Sequence, residues 1–400
     1  MAKGAKTRTI LVCGVLTAGL VIGFANIATA GSRDQARRLH DRIAGVPPSA
    51  AVLDAMQADI DSGNPLAAAD RAMDNSAFYN VTLKNFAAPW TNRDQSAFVP
   101  LNDYVATVVG MIRDDVPFNQ VLSADMLYVG KGNLGLPAYS PANNDHYAAI
   151  EDQNLDLKDV LTPVTQSSLT GIPPDATAGV MTTRAGAAAF FVAGTNRAML
   201  RFTLINHLCT DLEQIKDNTR APDRIRQDVS RSPGGDSRLF LNSCMGCHAG
   251  MDALAGAFAY YNFDAMAGRL FYNGIGAIDP ATGGRVQAKY RINSDNFKYG
   301  YITIDDSWIN YWRSGPNALL GWSGTLPGRG NGAKTLGTEL ASTDAFASCQ
   351  AKKVFKTVCL RPPVDAADRA QIDTMAAAFK SGNYNMKHLF ATAGVYCMGD

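Results

Sequence analysis

Cys244-Met245-Gly246-Cys247-His248 is the run in this 400-residue chain whose residue types and spacing fit one specific chemistry. Two thiols three positions apart can each add across a vinyl group of a single porphyrin, and the next residue then places an imidazole under the iron. The run therefore reads as covalent attachment of one haem c through Cys244 and Cys247, with His248 as the proximal iron ligand. Two other readings compete with it. A redox Cys-x-x-Cys followed by an incidental histidine lacks the alternating strand and helix signals of its usual fold, and half of a zinc site lacks a second Cys/His pair at ligand spacing.

A methionine or second histidine on the far side of the iron would close it and favour electron transfer. An open position would instead allow peroxide or oxygen chemistry. The candidates are Met199, His207, Met251, Met266, Met386 and His388. Met251 stands one helical turn from His248 and is expected to pack on the same side of the ring. His207, inside Leu204-Ile205-Asn206-His207-Leu208, reads as a buried, hydrogen-bonded histidine. Met266 can fold back after Asp264 and is the distal candidate carried forward. His40 and His146, distant in sequence, are expected to face solvent.

The elements that must position these residues are mostly helical. Ala36 to Ile43, Ala50 to Ile60 and Leu101 to Arg113 carry apolar residues at helical spacing, with Gly45, Pro47-Pro48 and Ser62-Gly63-Asn64-Pro65 as breaks. Residues 130–180 and 273–335, rich in Gly, Pro, Asn and Asp, read as long irregular segments. Arg184 to Leu212 is apolar and helical in character, and the polar passage Asp217 to Asp236 leads into the cysteine motif. Met251, Leu254, Ala255, Phe258 and Tyr261 then mark one apolar face, which suits a porphyrin edge and ordinary core packing equally well. Three short helices are expected to close the chain, at about 344–360, 366–380 with Asp365 as N-cap and Gly382 as stop, and about 385–398. If these run up, down, up, Cys397 returns to the level of Cys359, while Cys349 and Cys359 on one helix stand about 15 Å apart, beyond disulfide reach. The expected pairs are Cys359–Cys397 and Cys209–Cys349.

Lys3, Lys6 and Arg8 precede an uncharged stretch, Thr9 to Ile27, and Ala28-Thr29-Ala30 offers small residues for cleavage. Residues 1–30 are expected to be a secretory signal peptide, with Cys13 discarded in it. The rest of the chain divides into 31–180, a helical region of unassigned role, and 181–400, a haem-binding region ending in the three helices. With 37 Lys+Arg against 36 Asp+Glu, no charge excess draws the chain to nucleic acid, and no later stretch suggests a membrane span. Gly328-Arg329-Gly330-Asn331-Gly332-Ala333-Lys334-Thr335 looks like a phosphate loop, but Ala333 separates the last glycine from Lys334, so a flexible turn is expected. Trp308, Trp312 and Trp322 are expected in the core.

Around the cysteines, Cys244 to Asp252, Ala257-Phe258, Tyr261-Asn262-Phe263-Asp264 and Gly268-Arg269 resemble the CxxCHxxMD, NFD and GR signature of the planctomycete-type cytochrome c domain family. Ala36-Arg37-Arg38-Leu39 with Gly45-Val46-Pro47-Pro48, Asp114-Asp115-Val116-Pro117-Phe118 with Leu122-Ser123-Ala124-Asp125, and Gly194-Thr195-Asn196-Arg197 are similar to further family segments; Ala253 stands where the family has Pro. The resemblance implies an exported, mostly helical protein with one haem c. The expected function is that of a periplasmic or extracellular cytochrome passing electrons between redox protein partners. Two alternatives are a haem enzyme with an open distal position and a haem-bearing subunit of a larger assembly.

Overall fold

Ala36, Leu39 and Ile43 form the buried face of helix α1 (Ser32–Ala44), which Gly45 ends in a left-handed conformation (φ 76°) that a side chain would disfavour. A computed structural model describes residues 1, 4, 31–192, 194–291 and 297–399, so the expected signal peptide lies outside the described residues. Local signals set the next two helices: the Ser49 hydroxyl accepts from the Val52 N–H at the start of α2 (Ala50–Asp61). Asn64 caps α3 (Pro65–Met73), whose first residue is the proline that helix N-termini favour.

Helix α4 (Asp103–Arg113) is buried from Asp103 to Ile112, an all-round apolar helix sitting inside the fold rather than on it. It packs on β1 (Leu127–Gly130), which pairs antiparallel with β2 (Leu161–Val164). Between these strands lies α5 (Asp145–Asp152). The segment 130–180, expected to be irregular, thus holds a helix and a strand held by side-chain anchors. His146 is one anchor: buried against expectation, it accepts from the Gly130 N–H (2.8 Å) while Nδ1 meets the Pro137 carbonyl (2.6 Å). His40 is also buried rather than solvent-facing, with Nδ1 2.8 Å from the Val46 carbonyl just beyond α1. Both close local turns, and a ring in that role is drawn inward with the turn.

Helices α6 (Arg184–Phe190) and α7 (Arg197–Thr203) come next, and a wide helical turn, Leu204–Leu208, carries α7 on to Cys209. Then come α8 (Met245–Ala255), the hairpin β3 (Tyr261–Asp264) and β4 (Arg269–Tyr272), and the hairpin β5 (Ser307–Ile309) and β6 (Arg329–Asn331). Four helices close the chain: α9 (Gly332–Ala341), α10 (Asp344–Cys359), α11 (Ala366–Ser381) and α12 (Met386–Cys397). The last three match the expected closing helices, with Asp365 capping α11 and Gly382 ending it. The glycine-rich run 328–335 is not a flexible turn but the whole of β6 and the start of α9. The Trp308 indole N–H donates to the Thr335 hydroxyl there (2.9 Å).

The mostly α-helical architecture expected from the sequence is the one observed. One apolar cluster contains Leu39, Met56, Val108, Leu254, Phe346 and Leu389 among others, so both ends of the chain share it. Helix α12 packs on α1, α3, α10 and α11. Cys209 and Cys349 are disulfide-bonded with Cα atoms 5.3 Å apart, and Cys359 and Cys397 with Cα atoms 5.4 Å apart, the two expected pairs. Among the described residues no helix is long and apolar enough to cross a membrane.

Candidate haem-attachment site

The cysteine motif forms the first turn of α8. A three-residue helix capped by the Asp236 carboxylate and a wide helical turn, Phe240–Cys244, deliver the chain to Met245. Cys244 and Cys247 are both half-buried and are the free cysteines among the described residues. Gly246 lies between them because a neighbouring segment passes close: the Asp217 N–H donates to the Gly246 carbonyl (2.9 Å), and a Cβ at 246 would stand 2.4 Å from the Asn218 side-chain oxygen. Helix α8 is similarly tight at its next turn, where Trp312, fully buried, lies across Gly250. A Cβ at 250 would come 2.1 Å from the indole nitrogen. Gly250→Ala is therefore expected to lose about 1–3 kcal/mol, the scale of an overpacked core, despite alanine's better helix propensity. Urea unfolding of the variant checks this, and an unchanged or raised midpoint would contradict it.

His248 is oriented from beneath. Its Nδ1 lies 3.3 Å from both carboxylate oxygens of Asp252, one helical turn on. A ring held through Nδ1 presents Nε2 as its free acceptor nitrogen, the arrangement that metal-ligating histidines adopt. The imidazole side chain is 23% exposed whereas that of Asp252 is fully buried.

Asp252 is itself held by cations. Arg197 grips it with two bonds, Nε to Oδ1 (2.6 Å) and Nη2 to Oδ2 (2.8 Å), and grips Asp228 with two more (2.5 and 2.8 Å). The Arg226 backbone N–H donates to Asp252 Oδ2 (3.1 Å), and its buried guanidinium stands 3.9 Å from Oδ1, over the Tyr290 ring. Burial alone would raise the Asp252 carboxyl, but Arg197 and then Arg226 hold it well below the usual carboxylate range. Two guanidiniums and two carboxylates balance one another, so the buried cluster is neutral and mutually fixed. Arg226 Nε and Nη2 are buried there without a hydrogen-bond partner. Asp252 and Arg197 stand in segments that the sequence singles out. Asp228 and Arg226 carry no sequence signal, since nothing in their spacing shows that the loop 225–229 folds over α8.

The Cys247 thiol is unlike the nucleophile of a redox Cys-x-x-Cys, where the thiolate is stabilised. Burial pushes the Cys247 thiol up, and Glu213 pushes it further in the same direction. Its sulfur faces the Leu212 carbonyl at 3.7 Å, an acceptor that favours S–H. Both free thiols stand in the same helical turn as the oriented imidazole.

Of the other sequence candidates, Met266 and His388 are exposed, His207 is bonded to Tyr104, and Met251 stays one helical turn from His248 on α8. Met266, the distal candidate, is 99% exposed at the tip of the β3–β4 hairpin. Asp264 accepts from the N–H groups of Met266 and Ala267 and so turns the chain tightly instead of letting it fold back. Met199, Met251 and Met386 are buried in the core, and His388 is exposed on α12. His207 is buried as expected, with Nε2 2.8 Å from the Tyr104 hydroxyl, and burial followed by Lys353 lowers its pKa well below the ordinary histidine value. Trp308 and Trp312 are core residues, and Trp322 is partly buried, its indole N–H shared by the Trp312 and Asn317 carbonyls (2.9 and 3.0 Å).

Among the described residues no group of three or more His, Cys, Asp and Glu side chains is placed to hold a metal ion. This corrects the functional expectation. The expected electron-passing cytochrome, with its haem-enzyme and haem-bearing-subunit alternatives, therefore has no metal-holding group of side chains to stand on among the described residues. Compared with protein-family models, with curated proteins and with solved structures, the chain matches none.

Proposed function

We propose that the Cys244–His248 turn attaches one haem covalently, and that holding this group is the role of α8 and the polar cluster beneath it. The observation that carries the reading is the partition of the cysteines. Cys209, Cys349, Cys359 and Cys397 are consumed in two disulfides, while Cys244 and Cys247 stay free beside a histidine already oriented by a buried carboxylate. Disulfides of this kind also suit an oxidising compartment, in keeping with export directed by residues 1–30.

In this reading Cys244 and Cys247 supply the two sulfurs, and His248 Nε2 supplies the protein ligand. When bound, the group supplies a redox-active iron at that nitrogen. Asp252 fixes the ring rotation and tautomer through Nδ1, and Arg197 and Arg226 fix Asp252. The resemblance of residues 244–269 to cytochrome c domain signatures supports the same attachment chemistry.

Expression with c-type haem maturation, followed by a pyridine haemochrome spectrum after acid-acetone extraction, tests the proposal. The wild-type chain is expected to keep its haem through extraction. Cys244→Ala and Cys247→Ala are each expected to shift the band toward that of a single thioether, and the double variant to lose the haem entirely. A wild-type chain that releases its haem to acid-acetone would overturn the proposal.

A further inference from the structure

A second site lies away from α8, in a cavity of about 470 Å³ between α10 and the short helical segment 84–91. One wall is aromatic and apolar, with Phe86 and Trp90 in edge-to-face contact (centroids 4.9 Å apart) and Ile205 beside them. The facing wall is α10, which brings Lys353 and Lys356 to the cavity one turn apart, with Thr357 next to the second. This volume is that of a small-molecule pocket, and its lining divides evenly between apolar side chains and the polar or charged Asn85, Gln95, Lys353, Lys356 and Thr357.

The charges in this cavity are of one sign. Among the described residues neither Lys353 nor Lys356 forms an ion pair, although many of the chain's other cations do. Lys353 Nζ instead donates to the Asn206 backbone carbonyl and rests 4.0 Å from the Trp90 ring centroid. One carbonyl and one aromatic face are weak substitutes for water around an ammonium, and burial drives its pKa well below the ordinary lysine value. A half-buried ammonium without a counter-ion costs stability unless something else supplies the charge. Here the open side of that cation faces a cavity large enough for a ligand.

We propose that this cavity binds a small aromatic anion, its carboxylate or sulfonate placed between Lys353 and Lys356 and its ring laid against Trp90 and Phe86. The carboxylate supplies the counter-ion the chain omits, and the ring covers apolar surface already shaped by the aromatic pair. The site is independent of the cysteine motif: no residue lining it belongs to α8 or to the Arg197–Asp252 cluster.

Titration of the full chain with 1-naphthoate, followed by calorimetry, tests it, with 1-naphthamide as the uncharged analogue. One-to-one saturable binding of the carboxylate is expected, about tenfold or more tighter than the amide, the scale of one charge-assisted hydrogen bond. Lys353→Met and Lys356→Met, which keep the apolar stems, are each expected to weaken it by a similar factor. Circular dichroism and a melting curve establish that the variants fold; should Lys353→Met fail to, Lys356→Met alone decides, since that side chain is exposed. Absence of saturable binding, equal affinity for the amide, or unchanged affinity in folded variants would each overturn the proposal.

Discussion

Replacing Asp252 by alanine is expected to cost about 3–5 kcal/mol of folding stability, the scale for deleting one partner of a buried ion pair. The cost arises from what is left behind. Arg197 would keep Asp228, but Arg226, whose guanidinium is fully buried and has two nitrogens without partners, would lose its nearest carboxylate. His248 would lose the acceptor that orients its ring. Asp252→Asn keeps the shape and one acceptor oxygen and should cost less. The sign of its pH dependence is set by the depressed carboxyl of the native state. A carboxyl whose pKa is lower folded than unfolded stabilises fully above its unfolded pKa, about 3.9, and loses that contribution as pH falls toward the folded pKa. The stability gap between wild type and Asp252→Asn should therefore be largest near neutral pH and shrink below about pH 4. Urea unfolding at about pH 7 and about pH 3.5, on either side of that unfolded pKa, measures it, and a gap that widens in acid would contradict the ion-pair account.

Serine at both Cys209 and Cys349 is expected to be comparably damaging. This disulfide closes a chain separation of 140 residues, against 38 for Cys359–Cys397. Loop-closure entropy gives about 5 kcal/mol for the first and about 4 kcal/mol for the second. The ordering matters more than either value. Cys209 ends the turn beyond α7, and Cys349 lies in α10, so the longer bridge ties the segment leading to the candidate site to the C-terminal helices. Denaturant unfolding of the two double-serine variants under non-reducing conditions should rank Cys209/Cys349 as the greater loss. The reverse ranking would mean that native packing around Cys359, not chain entropy, dominates.

Much of this arrangement is legible in residue order where the signal is local. Asp365 and Gly382 mark the ends of α11, and the three closing helices come from period and caps; their antiparallel succession points to the Cys359–Cys397 pair. The motif Cys244–His248 is visible in residue order, and the haem attachment proposed for it rests on that spacing. The illegible part depends on contacts between distant segments. His40 and His146 look like surface residues until a turn closes on each ring. The run 328–335 is glycine-rich because β6 and α9 meet there with Trp308 packed against Gly330, a contact no local pattern announces. Met266 is attractive as a distal ligand by proximity in sequence, yet Asp264 turns the hairpin outward. The neutral ion-pair cluster beneath His248 draws on residues 197, 226, 228 and 252, and only the fold shows that they share one site.

The same division separates the two proposals. Haem attachment rests on a motif visible in sequence whose surroundings the fold then supplies, whereas the aromatic-anion cavity rests on Lys353 and Lys356 of α10 meeting Trp90 from far along the chain, which only tertiary structure reveals. Failure of one leaves the other standing, since the sites share no residue.

The most direct test of the central claim is the intact mass of the denatured chain after expression in a host that matures c-type haem. The expected mass is that of residues 31–400 with two disulfides plus one haem, with no thiol left to alkylate once Cys13 has left with the signal peptide. A mass of the bare chain, with Cys244 and Cys247 both alkylated, would contradict haem attachment.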